Sequence, residues 1–211
     1  FGTMLLKIKR NIEDIIRNNL DEIGCAEVQY SILQAKNYWE ASGRWDKYVE
    51  SGTMFTSKGR NGDYSICATA EEFSVAMVKD HIRSYRDLGF IHYQIGTKFR
   101  DEMRPRLGLI RTREFTMKDA YSFDADLDSL SESYNKMFEA YKKVFETVGL
   151  DFVIVRADTG VMGGLLSEEF QAISDTGEDI LVLCDSCDYA SNIEISKNVV
   201  SEKENIEEKE K

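Results

Sequence analysis

Cysteine and proline are scarce. Four cysteines, Cys25, Cys67, Cys184 and Cys187, are too few and too scattered for a secreted disulfide scaffold in 211 residues, so reduced thiols are expected. The single proline, Pro105, contrasts with an average usage of ~5% and falls inside the most unusual segment of the chain. Only two histidines occur, His81 and His92, and neither has neighbours that would make a catalytic pair or a metal site. No run reaches the ~18 apolar residues needed to span a bilayer, and Phe1 to Arg10 lacks the pattern of a signal peptide. Basic charge is short as well. Lys and Arg number 27 against 38 Asp and Glu, and the resulting −11 argues against a generic nucleic-acid coat or a protein lying on an anionic membrane. A soluble, cytoplasmic protein without a membrane partner is expected, and any phosphate site must be local.

What is present suits one ordinary globular domain. Apolar residues make up 42% and charged residues 31%, and a chain of this length buries roughly 70% of its unfolded surface. From Leu5 to Ile23 the apolar residues Leu5, Ile8, Ile12, Ile15, Ile16, Leu20 and Ile23 fall three or four apart, which predicts a helix stopped by Gly24. Glu27 to Leu33 reads as a strand, Trp39 to Tyr48 as an aromatic-rich connection, and Ser51 to Asp63, with three glycines, as a loop or hairpin. Thr69 and Glu72 stand in capping-box spacing, so a helix is predicted from Thr69 to Gly89.

Phe90 to Arg100 and Glu114 to Phe123 read as strands joined by a polar loop that contains Pro105 and Gly108. Leu127 to Val148 carries the cleanest helical stripe, with Gly149 after it. Phe152 to Val155 and Ile180 to Leu183 have strand length. Between them lie a glycine-containing stretch, Asp158 to Gly164, and a short polar helix or turn. The fold class is α+β with antiparallel pairing. Ser201 to Lys211 has one apolar residue in eleven and cannot bury anything, so it is expected to be a charged tail or the start of a linker. No internal repeat indicates a solenoid.

The chemistry concentrates between Lys98 and Lys118. Seven basic residues, Lys98, Arg100, Arg104, Arg106, Arg111, Arg113 and Lys118, face three acidic ones there, a net +4 inside an acidic chain. Five are Arg, whose planar fork suits bidentate contact with phosphate or carboxylate, so a small polyanion fits better than bulk nucleic acid. Strand alternation places Arg100 and Glu102 on one face, and Arg113, Phe115, Met117 and Asp119 on one face of the returning strand. A flat base would stack on Phe115 while Arg100 and Arg113 neutralise its phosphates. Spacing alone leaves open a plain solvated hairpin with interleaved charges.

The run FRDEMRPRLGLIRTREFTMKDAYSFD, Phe99 to Asp124, resembles motif 2 of the class II aminoacyl-tRNA synthetases in the form found in the bacterial-type prolyl-tRNA synthetase family. The resemblance extends to WEASGRWDKY before it, to CATAEE at Cys67 to Glu72, and to ADTGVMGGLLSEEFQAISDTGEDILV at Ala157 to Val182. It implies a class II synthetase catalytic domain, an antiparallel sheet flanked by helices, that activates proline with ATP and passes it to tRNA(Pro). By position, Arg100 would hold the α-phosphate and the proline carboxylate, Glu102 would face the adenine amino group and Phe115 would stack the adenine. Arg111 would lie near the nucleotide or the tRNA acceptor end, with Arg113 also on the ATP side. Thr69 and Glu71 would form the family's TxE element, the Glu accepting the imino group of proline, and Met117, Asp119 and Phe170 would complete the proline pocket. Helix capping is the plain reading of Thr69 and Glu71, and core packing that of Met117. Mg2+ is expected to accompany ATP, with no ligands visible in this chain.

The resemblance also has gaps. Ser31 and Ala35 stand where the family's motif 1 carries prolines at its dimer contact, so the expected homodimer has an altered motif 1. Cys67 and Ala68 replace the Gly-Pro usual before the TxE threonine. Motif 3 and an anticodon-binding domain are not found, which implies an incomplete active site: residues 1–200 as a partial catalytic domain with motifs 1 and 2, and 201–211 leading to a missing inserted domain. A noncatalytic synthetase-like module that binds a nucleotide, an amino acid or a partner protein is the alternative. The stretch DTGVMGG, Asp158 to Gly164, lacks the GK[ST] ending of a phosphate loop. Cys184 and Cys187 form a lone CxxC, half of a tetrahedral zinc site, and are read as two free thiols with no metal assigned.

Overall fold

The spacing of apolar residues after Leu5 produces helix α1 (Thr3–Glu22), and the chain leaves it through a left-handed Gly24 with φ +82°. Gly24 N–H donates to Asp21 O and Cys25 N–H to Leu20 O, each at 3.0 Å, the paired bonds of a Schellman cap. The computed structural model describes residues 1–159 and 166–196, in two compact units, Phe1–Val148 and Gly149–Lys211.

In the first unit the predicted strand from Glu27 to Leu33 is split. Strand β1 (Ala26–Glu27) and strand β2 (Leu33–Ala35) belong to different sheets. Between them Val28 N–H donates to Tyr93 O and Ile32 O accepts from Cys67 N–H, each at 2.8 Å. The predicted connection from Trp39 to Tyr48 is helical instead, forming α2 (Lys36–Ala41) and α3 (Trp45–Glu50). Trp39, Trp45, Tyr48 and Met54 make one buried cluster, so aromatic packing rather than periodicity holds these one-turn helices. Strands β3 (Thr56–Gly59) and β4 (Gly62–Ile66) form the predicted hairpin, and β2 joins it in the order β2-β4-β3.

The helix predicted from Thr69 to Gly89 is shorter. Helix α4 (Glu71–Lys79) has Ala70 as its N-cap and no side-chain cap bond. A capping box does occur, but at Ser84 and Asp87, around a 3-10 turn at Tyr85–Asp87. Backbone N–H groups of Arg83 and Ser84 both donate to Asp87 Oδ2, a local alternative to continued helix.

Strands β5 (Phe90–Phe99) and β6 (Glu114–Phe123) then pair antiparallel along their whole length, with β1 parallel on the other edge of β5. Helix α5 (Leu127–Val148) follows as predicted, ending before Gly149 at φ +82°. One face of β5 and β6 is core. Ile91, Tyr93, Ile95 and Ala120 pack with Ile16 and Leu20 of α1, Ile23 just after it, and Met137 and Ala140 of α5. Both helices therefore cover one face of the sheet, while on the other Tyr121 packs with Tyr30, Cys67, Ala70 and Phe73.

In the second unit β7 (Phe152–Arg156) pairs antiparallel with β8 (Glu168–Ala172), while β9 (Leu181–Leu183) and β10 (Ala190–Asn192) extend the sheet in the order β8-β7-β10-β9. The polar segment EEFQA of β8 is a strand where a helix or turn was expected. Its five register pairs with β7, from Arg156↔Glu168 to Phe152↔Ala172, outweigh its weak strand propensity. Most of Asp158 to Gly164 and all of Ser201 to Lys211 lie outside the described residues.

Candidate active site

Register fixes what the sheet face turned away from α1 and α5 presents. Gln94 pairs with Asp119, Gly96 with Met117 and Lys98 with Phe115, so these six share one side of the sheet with Tyr121. The ladder runs one residue further, because Arg100 N–H donates to Arg113 O at 3.0 Å. The predicted common face of Phe115, Met117 and Asp119 is therefore present.

Asp119 is the most heavily engaged of the predicted residues. Its Oδ1 accepts from Lys98 Nζ at 2.7 Å, and its Oδ2 from Gln94 Nε2 at 2.9 Å and Tyr121 OH at 2.5 Å. Lys98 is fully buried, so an ammonium and a carboxylate neutralise each other inside the sheet face. Tyr121 in turn accepts from Ala70 N–H at 3.1 Å. Burial first, then the bond to Asp119, push its phenol far above the ordinary value, so it remains a donor.

Tyr121 thus ties the sheet to the segment that opens α4. That segment is held from several sides: Phe99 N–H donates to Cys67 O at 2.8 Å, Gln34 Nε2 to Thr69 O at 3.1 Å and Arg100 Nε to Ala68 O at 3.3 Å. Cys67, Ala68, Thr69 and Ala70 are buried, and burial pushes the Cys67 thiol up to about 11. Thr69 is not the helix cap expected from spacing. Its hydroxyl donates to Glu71 Oε2 at 2.6 Å instead, while Glu72 turns away to Ser42 Oγ at 2.8 Å and Arg44 Nη1 at 3.1 Å.

Arg44 carried no role in the sequence reading, yet it supports this corner. Its guanidinium lies 4.8 Å from the Tyr48 ring centroid and 5.5 Å from that of Trp39. Nη1 stands 3.4 Å from Glu71 Oε2, and Nη2 donates to Tyr48 OH at 2.6 Å. The run WEASGRWDKY contained the signal, a lone Arg between aromatics, but nothing in its spacing pointed to Glu71. Lys98 was likewise counted only as one charge of an island.

At the loop end the Arg100 guanidinium stands 5.6 Å from the Phe115 ring centroid. Both side chains are half-buried rather than sealed in the core. Among the described residues the Arg100 Nη nitrogens make no hydrogen bond or ion pair, which leaves a charged fork beside an accessible ring.

Glu102 differs from its predicted placement. β5 ends at Phe99, and Glu102 N–H donates to Arg100 O at 2.8 Å, so the chain turns and strand alternation no longer applies. Glu102 Oε1 accepts from Arg104 N–H at 2.9 Å and Oε2 lies 2.9 Å from Arg111 Nε. Arg104's backbone donor first, then Arg111, hold its carboxyl below the usual range. Arg111 also bridges to Arg106 across the loop tip, where Leu107 and Gly108 take positive φ. Arg113 is exposed and 3.3 Å from Asp101.

Another basic residue does not join the face. Lys118 points to the opposite side of β6, against Tyr141 of α5. In the second unit Phe170 lies on β8, its ring centroid 5.6 Å from that of Phe152. Among the described residues no three His, Cys, Asp or Glu side chains gather where they could hold a metal ion.

A cationic fork beside an aromatic ring, next to a carboxylate set on a helix start, suits a ligand with both a polyanion and an ammonium-type group. The family model described as tRNA synthetase class II core domain (G, H, P, S and T) matches residues 55–210. The chain belongs to that family. Curated proline–tRNA ligases resemble it along nearly its full length. That of Caldicellulosiruptor bescii is 49% identical over 203 residues, 96% of this chain and 35% of the relative. That of Gloeobacter violaceus is 42% identical over 210 residues, 98% and 36%. The chain therefore spans about a third of the length of these relatives. Among solved structures, Giardia lamblia prolyl-tRNA synthetase in complex with prolyl-adenylate superposes with TM-score 0.67 at 18% identity, over 74% of this chain and 32% of that one. A Cryptosporidium parvum threonyl-tRNA synthetase structure does so with TM-score 0.61 at 22% identity, over 70% and 36%. These two establish the class II fold.

Proposed function

We propose that this chain carries the ATP- and proline-facing part of a proline–tRNA ligase, which joins proline to ATP as prolyl adenylate and then transfers it to tRNA(Pro). The observation that carries the reading is the convergence of Arg100, Phe115 and Glu71 around one buried network, Lys98–Asp119–Tyr121–Ala70. Arg100 meets the α-phosphate and the proline carboxylate with the fork its Nε–Ala68 bond leaves free. Phe115 stacks the adenine, and Glu102 and Arg113 line the nucleotide side. Arg111 lies toward the nucleotide or the acceptor end of tRNA. Glu71, steadied by Thr69 and Arg44, accepts the imino NH2+ of proline, with Met117 and Asp119 as pocket walls.

The chemistry needs little more than placement. The proline carboxylate attacks the α-phosphate in line, pyrophosphate leaves, and the growing negative charge is met by a preorganised guanidinium rather than by a protein nucleophile. Magnesium arrives with ATP. Asp101, Glu102 and Asp119 already face Arg113, Arg111 and Lys98, so no ligand for it is assigned. Residues 1–200 serve as part of the catalytic domain and 201–211 as the lead into a further segment, in a cytoplasmic enzyme that works as a homodimer.

Proline-dependent exchange of pyrophosphate into ATP by the full-length enzyme tests this reading. Arg100→Ala should abolish exchange, and Phe115→Ala should weaken ATP binding by about 1–3 kcal/mol, the scale of base–aromatic stacking. Normal exchange in Arg100→Ala, or exchange by the wild type that ignores proline, would overturn it.

A further inference from the structure

The four cysteines fall into two chemically distinct pairs. Cys25 and Cys67 are buried, and burial pushes both thiols up. Cys184 and Cys187 are exposed, in the turn between β9 and β10 that Cys184 N–H closes by donating to Tyr189 O at 3.0 Å. The adenylation chemistry uses neither. Inside the turn, Ser186 N–H donates to Cys184 Sγ at 3.4 Å. That bond first, then the thiol and backbone N–H of Cys187, hold the Cys184 thiol below its ordinary range. Several donors converging on one exposed sulfur favour the thiolate, the nucleophilic form. Cys187 stands three residues on in the same exposed turn, so local rotation within the turn can bring the two sulfurs together.

A zinc reading lacks ligands. A tetrahedral site needs four donors, and among the described residues no third Cys, His, Asp or Glu joins the pair.

We propose that Cys184 and Cys187 form a reversible dithiol–disulfide site, with Cys184 as attacking thiol, Cys187 as resolving thiol, and a low-molecular-weight disulfide of the glutathione type as oxidant. The Cys184 thiolate attacks one sulfur of that disulfide and expels one small thiolate, leaving a mixed disulfide. Cys187 then loses its proton and attacks Cys184 Sγ, expelling the second small thiolate. Two protein thiols are oxidised by two electrons, one small disulfide is reduced to two thiols, and the two protons end on the released thiols.

The test incubates the whole chain with oxidised glutathione at neutral pH, traps remaining thiols by alkylation and maps peptides by mass. The expected product is loss of two hydrogen masses on the peptide that holds Cys184 and Cys187, reversed by dithiothreitol, with Cys25 and Cys67 alkylated only after unfolding. Cys187→Ser should stop at a stable glutathione adduct on Cys184. Both positions are exposed, so circular dichroism of the variant should match the wild type. Three outcomes would overturn the proposal: adducts on both cysteines without ring closure, a faster adduct at Cys187 in Cys184→Ser than at Cys184 in Cys187→Ser, or stoichiometric zinc that shields both thiols without oxidant.

Discussion

Lys98 and Lys118 sit on the same hairpin and face opposite ways, and the consequences differ. Lys98 has 1% of its side chain exposed and Asp119 10%. Removing the ammonium would strand a buried carboxylate, so Lys98→Met should cost about 3–5 kcal/mol, the range for breaking a buried pair. Urea unfolding checks it, and a loss below the scale of a surface pair would refute it. Lys118 has no such carboxylate in contact among the described residues. Burial pushes its ammonium down to about 8 from 10.5. The folded chain then holds fewer protons than the unfolded one between those values, so the burial penalty is complete below about pH 8 and is relieved as pH rises toward 10.5. Lys118→Met should be more stable than wild type below that window, and its advantage should shrink across it. Urea midpoints of the two proteins, compared through the interval, decide the matter.

At the scale of elements, α1, α5 and the β5–β6 hairpin follow from pattern, since each is long enough for its period to show. Gly24 marks where α1 must stop, and its φ of +82° is open to Gly but strained for a residue with a Cβ. Gly24→Ala should destabilise the chain by about 1–2 kcal/mol, read as a lower thermal midpoint; an unchanged midpoint would show that the cap relaxes freely. The short elements were not legible in this way. α2 and α3 exist because Trp39, Trp45 and Tyr48 bury together, and β8 because β7 offers it five register partners. The capping box proposed at Thr69 fails because the helix starts one residue later, at the N-cap Ala70, and the Thr69 hydroxyl donates to Glu71 Oε2.

For the molecule as a whole, length matters most. The chain spans about a third of the proline–tRNA ligases it resembles, so this 211-residue chain alone should give little or no proline-dependent pyrophosphate exchange, whereas a full-length enzyme should give it readily. Robust exchange by the isolated chain would show that the described residues are sufficient. Family, fold class and the positions of Arg100, Phe115, Thr69 and Glu71 could be read in linear order, because motif spacing and strand alternation are local properties. Arg44 beside Glu71, Lys98 neutralising Asp119, the turn that takes Glu102 to Arg111, and the inward aim of Lys118 could not. Arg44, Lys98 and Lys118 depend on which residues meet across strands and helices, and on the free energy of burying a charge with a partner rather than without one; Glu102 depends on a turn that ends strand alternation.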